Sequence, residues 1–212
     1  MFIVAGIGTD VGKTVASAIL TYALDAEYWK PVQCGPCGDR ETVENLLQGT
    51  RITHPEAIRL KMPRSPHHAA AAEGFMINPE QIVRPRTSRT LVIEGCGGLL
   101  VPLNNQTTMA DLFATWDCSW ILVARMYLGM INHTLLTIEA MKRRSLNLCG
   151  IIFNGDECPQ SESAILALSG SSCIGRIKEE KTWDFKRIKS YANDWKKSGT
   201  LFRKMGIEPF PL

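Results

Sequence analysis

The sequence of 212 residues predicts an α/β fold, a mostly parallel β-sheet with helices on both faces. Three observations lead there. Short apolar runs of strand length recur along the chain, stretches of helical length separate them, and a glycine-rich turn carrying a lysine lies between the first run and the first helix. Strands buried on both faces read as near-continuous Ile, Val and Leu. Strands alternating with helices imply βαβ units with right-handed crossovers.

Taken in order, residues 2–5 form the first strand and residues 14–24 the first helix. Residues 28–32 give a weaker strand, and Asp39–Leu47 a helix. Residues 90–93, 120–124 and 150–153 are further strands; residues 109–116, 133–144 and 160–168 are the helices between and after them. Residues 184–197 are expected to form a helix on the outside, and the polar segment 84–89, with Pro85, a surface connection. No internal repeat or low-complexity segment is visible, and the expectation is one domain over residues 1–212.

Composition narrows the function classes. Hydrophobic residues at 45% and charged residues at 21% suit a folded globular protein and exclude a disordered one. A net charge of only +3 gives no reason to expect a nucleic-acid partner; the late basic stretches, residues 178–181 and 186–204, read as solvated helical faces. Residues 1–10 are too short for a secretory h-region and lack a basic leader, and no apolar run has the length of a membrane span. The expected location is the cytoplasm. The seven cysteines are scattered, as reduced cytosolic thiols are. Cys34 and Cys37 form a C-x-x-C pair, but no second ligand pair follows at zinc spacing and glycines flank them, which favours a loop.

The first strand runs into Gly6-Ile7-Gly8-Thr9-Asp10-Val11-Gly12-Lys13-Thr14, and then the helix begins. Strand, glycine-rich turn, Lys-Thr and helix together are the context a phosphate loop requires: backbone N–H groups turn inward and the helix N-terminus adds partial positive charge. Lys13 reaches the β- and γ-phosphates and the Thr14 hydroxyl is suited to Mg²⁺. The loop is one residue longer than the usual spacing, because Gly6 precedes Ile7. The fold is therefore read as P-loop NTPase-like, with ATP as co-substrate and Mg²⁺ as cofactor.

Such a nucleotide needs further hard oxygen ligands. Glu94 ends the strand 90–93 and precedes Gly95-Cys96-Gly97-Gly98, at the carboxyl edge where sheets of this kind place ligands. Asp39 is a second candidate and equally an ordinary helix N-cap; Glu41 is a weaker rival. Lys30, beside Pro31, which holds the preceding residue extended, is either a surface charge or a cation that stabilises a transferring phosphoryl group.

Several segments, in order, resemble the dethiobiotin synthetase family: GIGTDVGKT (6–14), WKPVQCG (29–35), SPHHAAAAEG (65–74), VIEGCGGLLVPL (92–103), LGMINHTLLT (128–137) and GIIFN (150–154). The resemblance implies ATP-dependent ring closure of 7,8-diaminopelargonic acid with CO₂ or bicarbonate. A carbamate forms on one amine, ATP phosphorylates it, and the second amine displaces phosphate to close the cyclic urea. It also implies roles. Lys30 and Lys13 neutralise the carbamate and the transferring phosphate. Thr14, Asp39 and Glu94 hold Mg²⁺. Asp10, Val11, Gly12, Lys13, Thr14 and Val15 wrap the phosphates, with Gly95, Cys96 and Gly97 beside the nucleotide and Asn154 reading adenine. Thr9 and Cys34 face the reactive end of the substrate. Leu128, Gly129, Met130, Ile131 and Asn132 bind its carboxylate tail across a homodimer interface; Asn132 is alternatively only a helix N-cap. His133 shows no base or metal partner, and His67 and His68 are read as structural, with contact to the substrate as the alternative.

The chain departs from the family pattern at three places. Cys34 replaces a Thr or Ser, Asp10 a Glu, and residues 175–180 lack the proline of the usual base-binding loop. The rival reading is a switch ATPase of the chromosome- or plasmid-partitioning type. Those proteins carry an additional lysine at the start of the phosphate loop, where this chain has Val4-Ala5-Gly6-Ile7.

Overall fold

The computed structural model describes residues 1–198. Nine strands run along it: β1 (Phe2–Gly6), β2 (Glu27–Trp29), β3 (Val32–Cys34), β4 (Thr53–His54), β5 (Ile58–Leu60), β6 (Leu91–Glu94), β7 (Ser119–Arg125), β8 (Asn147–Asn154) and β9 (Cys173–Ile177). The helices are α1 (Lys13–Ala23), α2 (Asp39–Leu47), α3 (Pro66–Ala72), α4 (Met109–Ala114), α5 (Met130–Arg143), α6 (Pro159–Ser169) and α7 (Phe185–Ser198). Seven strands form one sheet in the order β4-β2-β6-β1-β7-β8-β9, every pairing parallel. β3 and β5 form a separate parallel pair.

Strand alternation sorts the core into two layers. On one face Val4, Tyr28, Val92, Val123 and Ile152 pack with Ile19 and Leu20 of α1, Val43 and Leu47 of α2, and Ile188 and Ala192 of α7. On the other, Ile3, Trp29, Ile93, Leu122 and Phe153 pack with Ala69 and Ala70 of α3, Phe113 of α4, Ile138 and Met141 of α5, and Ile165 of α6. Each fully buried Val, Leu, Ile, Phe or Met among them contributes about 1.5–3 kcal/mol to stability. Both faces of the sheet are therefore apolar, and polar chemistry is confined to its ends.

The expected mostly parallel sheet with helices on both faces is present, with differences in detail. The single strand expected over residues 28–32 is two strands, belonging to two sheets. Pro31 has no N–H for a ladder, and its carbonyl instead accepts from Ala57 and Ile58. The chain leaves the main sheet after Trp29 and restarts beside β5, so Lys30 sits where the backbone turns away from the sheet's carboxyl edge. α5 begins at Met130 rather than residue 133, with Gly129 as its N-cap at φ 100°; this removes the N-cap alternative for Asn132. α3, β4, β5 and β9 are additional to the sequence reading. Residues 184–197 do form the outer helix, as α7, and its α1 neighbour is the element it packs against most extensively. The last part of the basic stretch 186–204 lies outside the described residues.

Candidate active site

β1 delivers the chain into the phosphate loop at the carboxyl edge of the sheet. A Cβ on Gly6 would lie 2.7 Å from Val11 Cγ2 and 3.0 Å from the Gly8 carbonyl, so the loop folds back over a position that only glycine fits. Asp10 adopts a left-handed backbone at φ 57°, a conformation Asp tolerates better than most residues. Gly12, the α1 N-cap at φ 94°, is hemmed in by Asn154, whose Nδ2 would be 2.3 Å from an added Cβ. Asn154 Nδ2 also donates to the Val11 carbonyl at 2.9 Å, tying the end of β8 to the loop. Lys13 is buried and donates to the Gly8 carbonyl at 2.9 Å.

Across the loop lies a compact charged hub. Glu94, 1% exposed, accepts at Oε1 from Thr14 Oγ1 (3.0 Å) and from Lys30 Nζ (3.1 Å), and at Oε2 from the Tyr28 hydroxyl (2.9 Å). Lys30 Nζ also pairs closely with Asp39 Oδ2. Asp39 is the first residue of α2, after the N-cap Gly38, and its side chain serves the site rather than capping the helix. Two carboxylates share the Lys30 ammonium, and together with the Thr14 hydroxyl they offer hard oxygens. That donor set suits Mg²⁺, which takes one or two protein carboxylates and completes its shell with phosphate and water.

The two lysines respond to this field in opposite directions. Burial opposes the charge of Lys30, but Glu94 and Asp39 outweigh it and raise its pKa above the ordinary lysine value. Burial also dominates at Lys13; Glu94 opposes it and Lys30 adds to it, and the pKa falls below the ordinary value. Tyr28 is pushed well above a normal phenol, first by burial and then by Glu94, so it keeps its proton and donates.

A cavity of about 860 Å³ opens over the hub, lined by Thr9, Asp10, Gly12, Lys13, Thr14, Val15, Lys30, Cys34, Asp39, Glu94, Cys96 and Gly97 among others. The structure thus brings together twelve of the residues singled out from sequence. Val11 and Gly95 are buried behind it. Cys34 and Cys96 are hydrogen-bonded: the bond and burial hold the Cys34 proton on, and the same bond pushes Cys96 down to about 7. A second cavity, about 180 Å³, adjoins the other side of the loop. Asp10, Gly12, Val15, Arg125, Asn154 and Trp183 are among its walls. Leu128, Gly129, Met130, Ile131 and Asn132 line neither cavity. Leu128 projects fully into solvent at 103% exposure, while Met130 is buried. His133 has the Tyr127 hydroxyl on its ring, 2.6 Å from Nδ1.

Sequence reasoning missed several members. Gln33 braces the loop after β3: its Nε2 donates to the Cys34 and Cys37 carbonyls (3.1 and 2.8 Å), and its Oε1 accepts from the Asp39 amide (3.2 Å). Its place in the segment 29–35 was the available signal. Arg64 lines the large cavity, as does His68, for which contact with the substrate is the alternative reading. Tyr28 reaches Glu94 through strand register, which no linear motif carries.

The sequence family described as an AAA domain matches residues 1–187. Among curated proteins, the ATP-dependent dethiobiotin synthetase of Christiangramia forsetii is 47% identical, with 92% of this chain and 96% of that protein covered. Those of Chlamydia abortus (42%; 92% and 94% covered) and Rhodopseudomonas palustris (51%; 82% and 84% covered) are similarly alike. Solved structures share the fold at low identity. A putative plasmid partition protein of Borrelia burgdorferi bound to AMPPNP gives a TM-score of 0.56 at 12% identity, with 96% of this chain and 98% of that one covered. The MinC–MinD cell division complex of Aquifex aeolicus gives 0.55 at 14%, with 100% and 97% covered. At that identity they speak for the P-loop ATPase architecture alone. The near-full-length matches above 40% identity are of another kind: this chain belongs to the ATP-dependent dethiobiotin synthetase family.

Proposed function

We propose that this chain closes the ring of 7,8-diaminopelargonic acid with CO₂ or bicarbonate at the expense of ATP, forming dethiobiotin, ADP and phosphate. The observation that carries the residue roles is the hub at Glu94. It gathers two carboxylates, a hydroxyl and a buried ammonium at the mouth of a phosphate loop, in one cavity large enough for a nucleotide's phosphates and a short diamine.

No protein nucleophile is required, because the substrate supplies both amines. One amine adds to CO₂ and loses a proton, giving a carbamate. A carbamate oxygen attacks the γ-phosphorus of ATP and ADP departs. The second amine then attacks the carbamoyl carbon, phosphate leaves with the oxygen that bound it, and the cyclic urea results. The chain's task is to position and neutralise, as phosphoryl transfer demands. Asp10 to Val15 wrap the phosphates through backbone N–H groups, with Gly95, Cys96 and Gly97 alongside. Lys13 answers the charge of the β- and γ-phosphates. Thr14, Asp39 and Glu94 would hold Mg²⁺, which offsets charge on the phosphate oxygens. The Lys30 ammonium, paired with Glu94 and Asp39 at the same cavity, meets the carbamate. Thr9 and Cys34 face the reacting amines across the cavity. Asn154, on the second cavity, reads the adenine, with Trp183 on an adjoining wall.

The substrate's tail is assigned to residues 128–132. The N-terminus of α5 favours a carboxylate through its partial positive charge, and Gly129, at φ 100°, lets the chain turn into it. Exposed Leu100, Leu128 and Leu136 support a homodimer in which this strip meets its symmetry mate and the tail crosses between protomers. Residues 1–212 act as one domain in this reading, in the cytoplasm; no helix among the described residues is long and apolar enough to cross a membrane.

The test is incubation of the purified protein with 7,8-diaminopelargonic acid, bicarbonate and Mg-ATP, with dethiobiotin and ADP followed by mass spectrometry. Product that requires all three inputs is the expected result. Nucleotide turnover indifferent to the diamine would turn the assignment toward a nucleotide-switched ATPase.

A further inference from the structure

Tyr28 has no part in the chemistry above, yet it holds one end of the hub. The register of the sheet explains how. Tyr28 on β2 pairs with Val92 on β6, and Glu94 lies two residues further along the same face of β6. Such diagonal neighbours lie about 7–8 Å apart, a span an aromatic side chain covers. The phenol therefore runs under the sheet edge and donates to Glu94 Oε2 at 2.9 Å, with Tyr28 0% exposed and Glu94 1%.

The two oxygens of Glu94 are consequently unlike. Oε2 faces inward and is taken by a buried phenol. Oε1 receives Thr14 and Lys30, both of which line the cavity. We propose that Tyr28 is a positioning residue that presents Glu94 to the metal through Oε1 alone, and so selects Mg²⁺ over Ca²⁺. The proposal rests on the reading of Glu94 as a metal ligand. Mg²⁺ keeps a tight octahedral shell of about six ligands and takes carboxylates by single oxygens. Ca²⁺ accepts about six to eight at longer range, commonly with both oxygens of a carboxylate. Pinning Oε2 denies Ca²⁺ the second oxygen and fixes the direction from which Oε1 addresses the cavity. Asp39 is only partly buried and meets Lys30 at Oδ2, so it is held less tightly than Glu94.

The experiment titrates Mg²⁺ and Ca²⁺ separately into protein with a fluorescent ATP analogue, without diamine, and reads nucleotide binding rather than turnover. In the wild-type chain Ca²⁺ should support binding at least about tenfold less well than Mg²⁺; equal support would overturn the proposal without any variant. Tyr28→Phe keeps the ring and removes the donor. Its Ca²⁺/Mg²⁺ preference should move toward Ca²⁺ by about tenfold, the scale of one hydrogen bond to a charged group. An unchanged ratio in a folded Tyr28→Phe protein overturns it. Glu94→Gln separates this inference from the reading beneath it. In that background Tyr28→Phe should shift the ratio no further, and an equal shift would mean that Tyr28 acts through packing. If Glu94→Gln leaves Mg²⁺ dependence untouched, the metal-ligand reading fails and this inference with it.

Discussion

Two parts of the molecule assigned to the same substrate are built in opposite ways. Around Glu94 every functional group is answered from within the chain: Thr14, Tyr28 and Lys30 meet one carboxylate, Lys30 also meets Asp39, and Lys13 is buried beside them. Along residues 127–129 the chain turns outward, with Tyr127 42% and Leu128 103% exposed. The first region orders the reacting atoms before substrate arrives, which is where electrostatic preorganisation matters most. The second leaves apolar surface that only a second surface could complete. In the proposed reading, the chemistry is written into one fold and tail recognition is left to assembly.

The sharpest way to break that contrast is Lys30→Ala. Removing the ammonium should lower kcat by about 10²–10³-fold, the usual cost of one preorganised group, while equilibrium dialysis still finds Mg-ATP bound. Turnover near wild type would take Lys30 out of the mechanism. Asp39→Asn should raise the Mg²⁺ concentration needed for half-maximal activity by about 10–100-fold, read from a metal titration; an unmoved midpoint would leave Asp39 as a partner of Lys30 only. On the outward side, Leu128→Ser should raise KM for the diamine by up to about tenfold, a fraction of the value of burying a leucine. It should leave nucleotide affinity and monomer stability alone. Loss of nucleotide binding instead would show that the two regions are not separate.

Cys34→Thr restores a better donor and should keep turnover or raise it by about two- to fivefold, the scale of one net hydrogen bond. A collapse would reveal a role particular to the thiol. The smallest effect is a control at a pair that belongs to neither region. Arg176 holds Glu162 below its ordinary pKa. A carboxylate depressed in the folded state adds stability that is present above its unfolded pKa and lost as pH falls through the folded one. Wild-type urea midpoints should therefore drop more between pH 7 and the acid range than those of Glu162→Gln, with activity at neutral pH unaffected.

The phosphate loop was legible because its chemistry is local: a strand, a turn and a helix adjoin in sequence, and the lysine follows at fixed spacing. Glu94 was legible for a related reason, since a carboxylate ending an apolar strand must emerge at the sheet's ligand edge. What escaped depends on distant pairing. The stretch 28–32 looks continuous, and only the partnership of β3 with β5 shows Pro31 dividing it. Tyr28 reads as a core aromatic until the β2–β6 register sets it beneath Glu94. The Asp39 side chain could be a helix cap until Gly38 takes that place and Lys30 pairs with it. The start of α5 at Met130 was hidden because Gly129, not Asn132, takes the cap, and a glycine cap leaves no side-chain signature.

The most direct test of the chemistry assigned to the Glu94 hub follows the oxygen atoms. The protein is given 7,8-diaminopelargonic acid, Mg-ATP and CO₂ labelled with ¹⁸O, and the reaction is quenched before the label exchanges with water. If a carbamate is phosphorylated and then displaced by the second amine, one labelled oxygen leaves with the phosphate and the other stays in the ring carbonyl. Phosphate carrying no oxygen from CO₂ would contradict the account, because the transferred group would then never have been bonded to the carbamate.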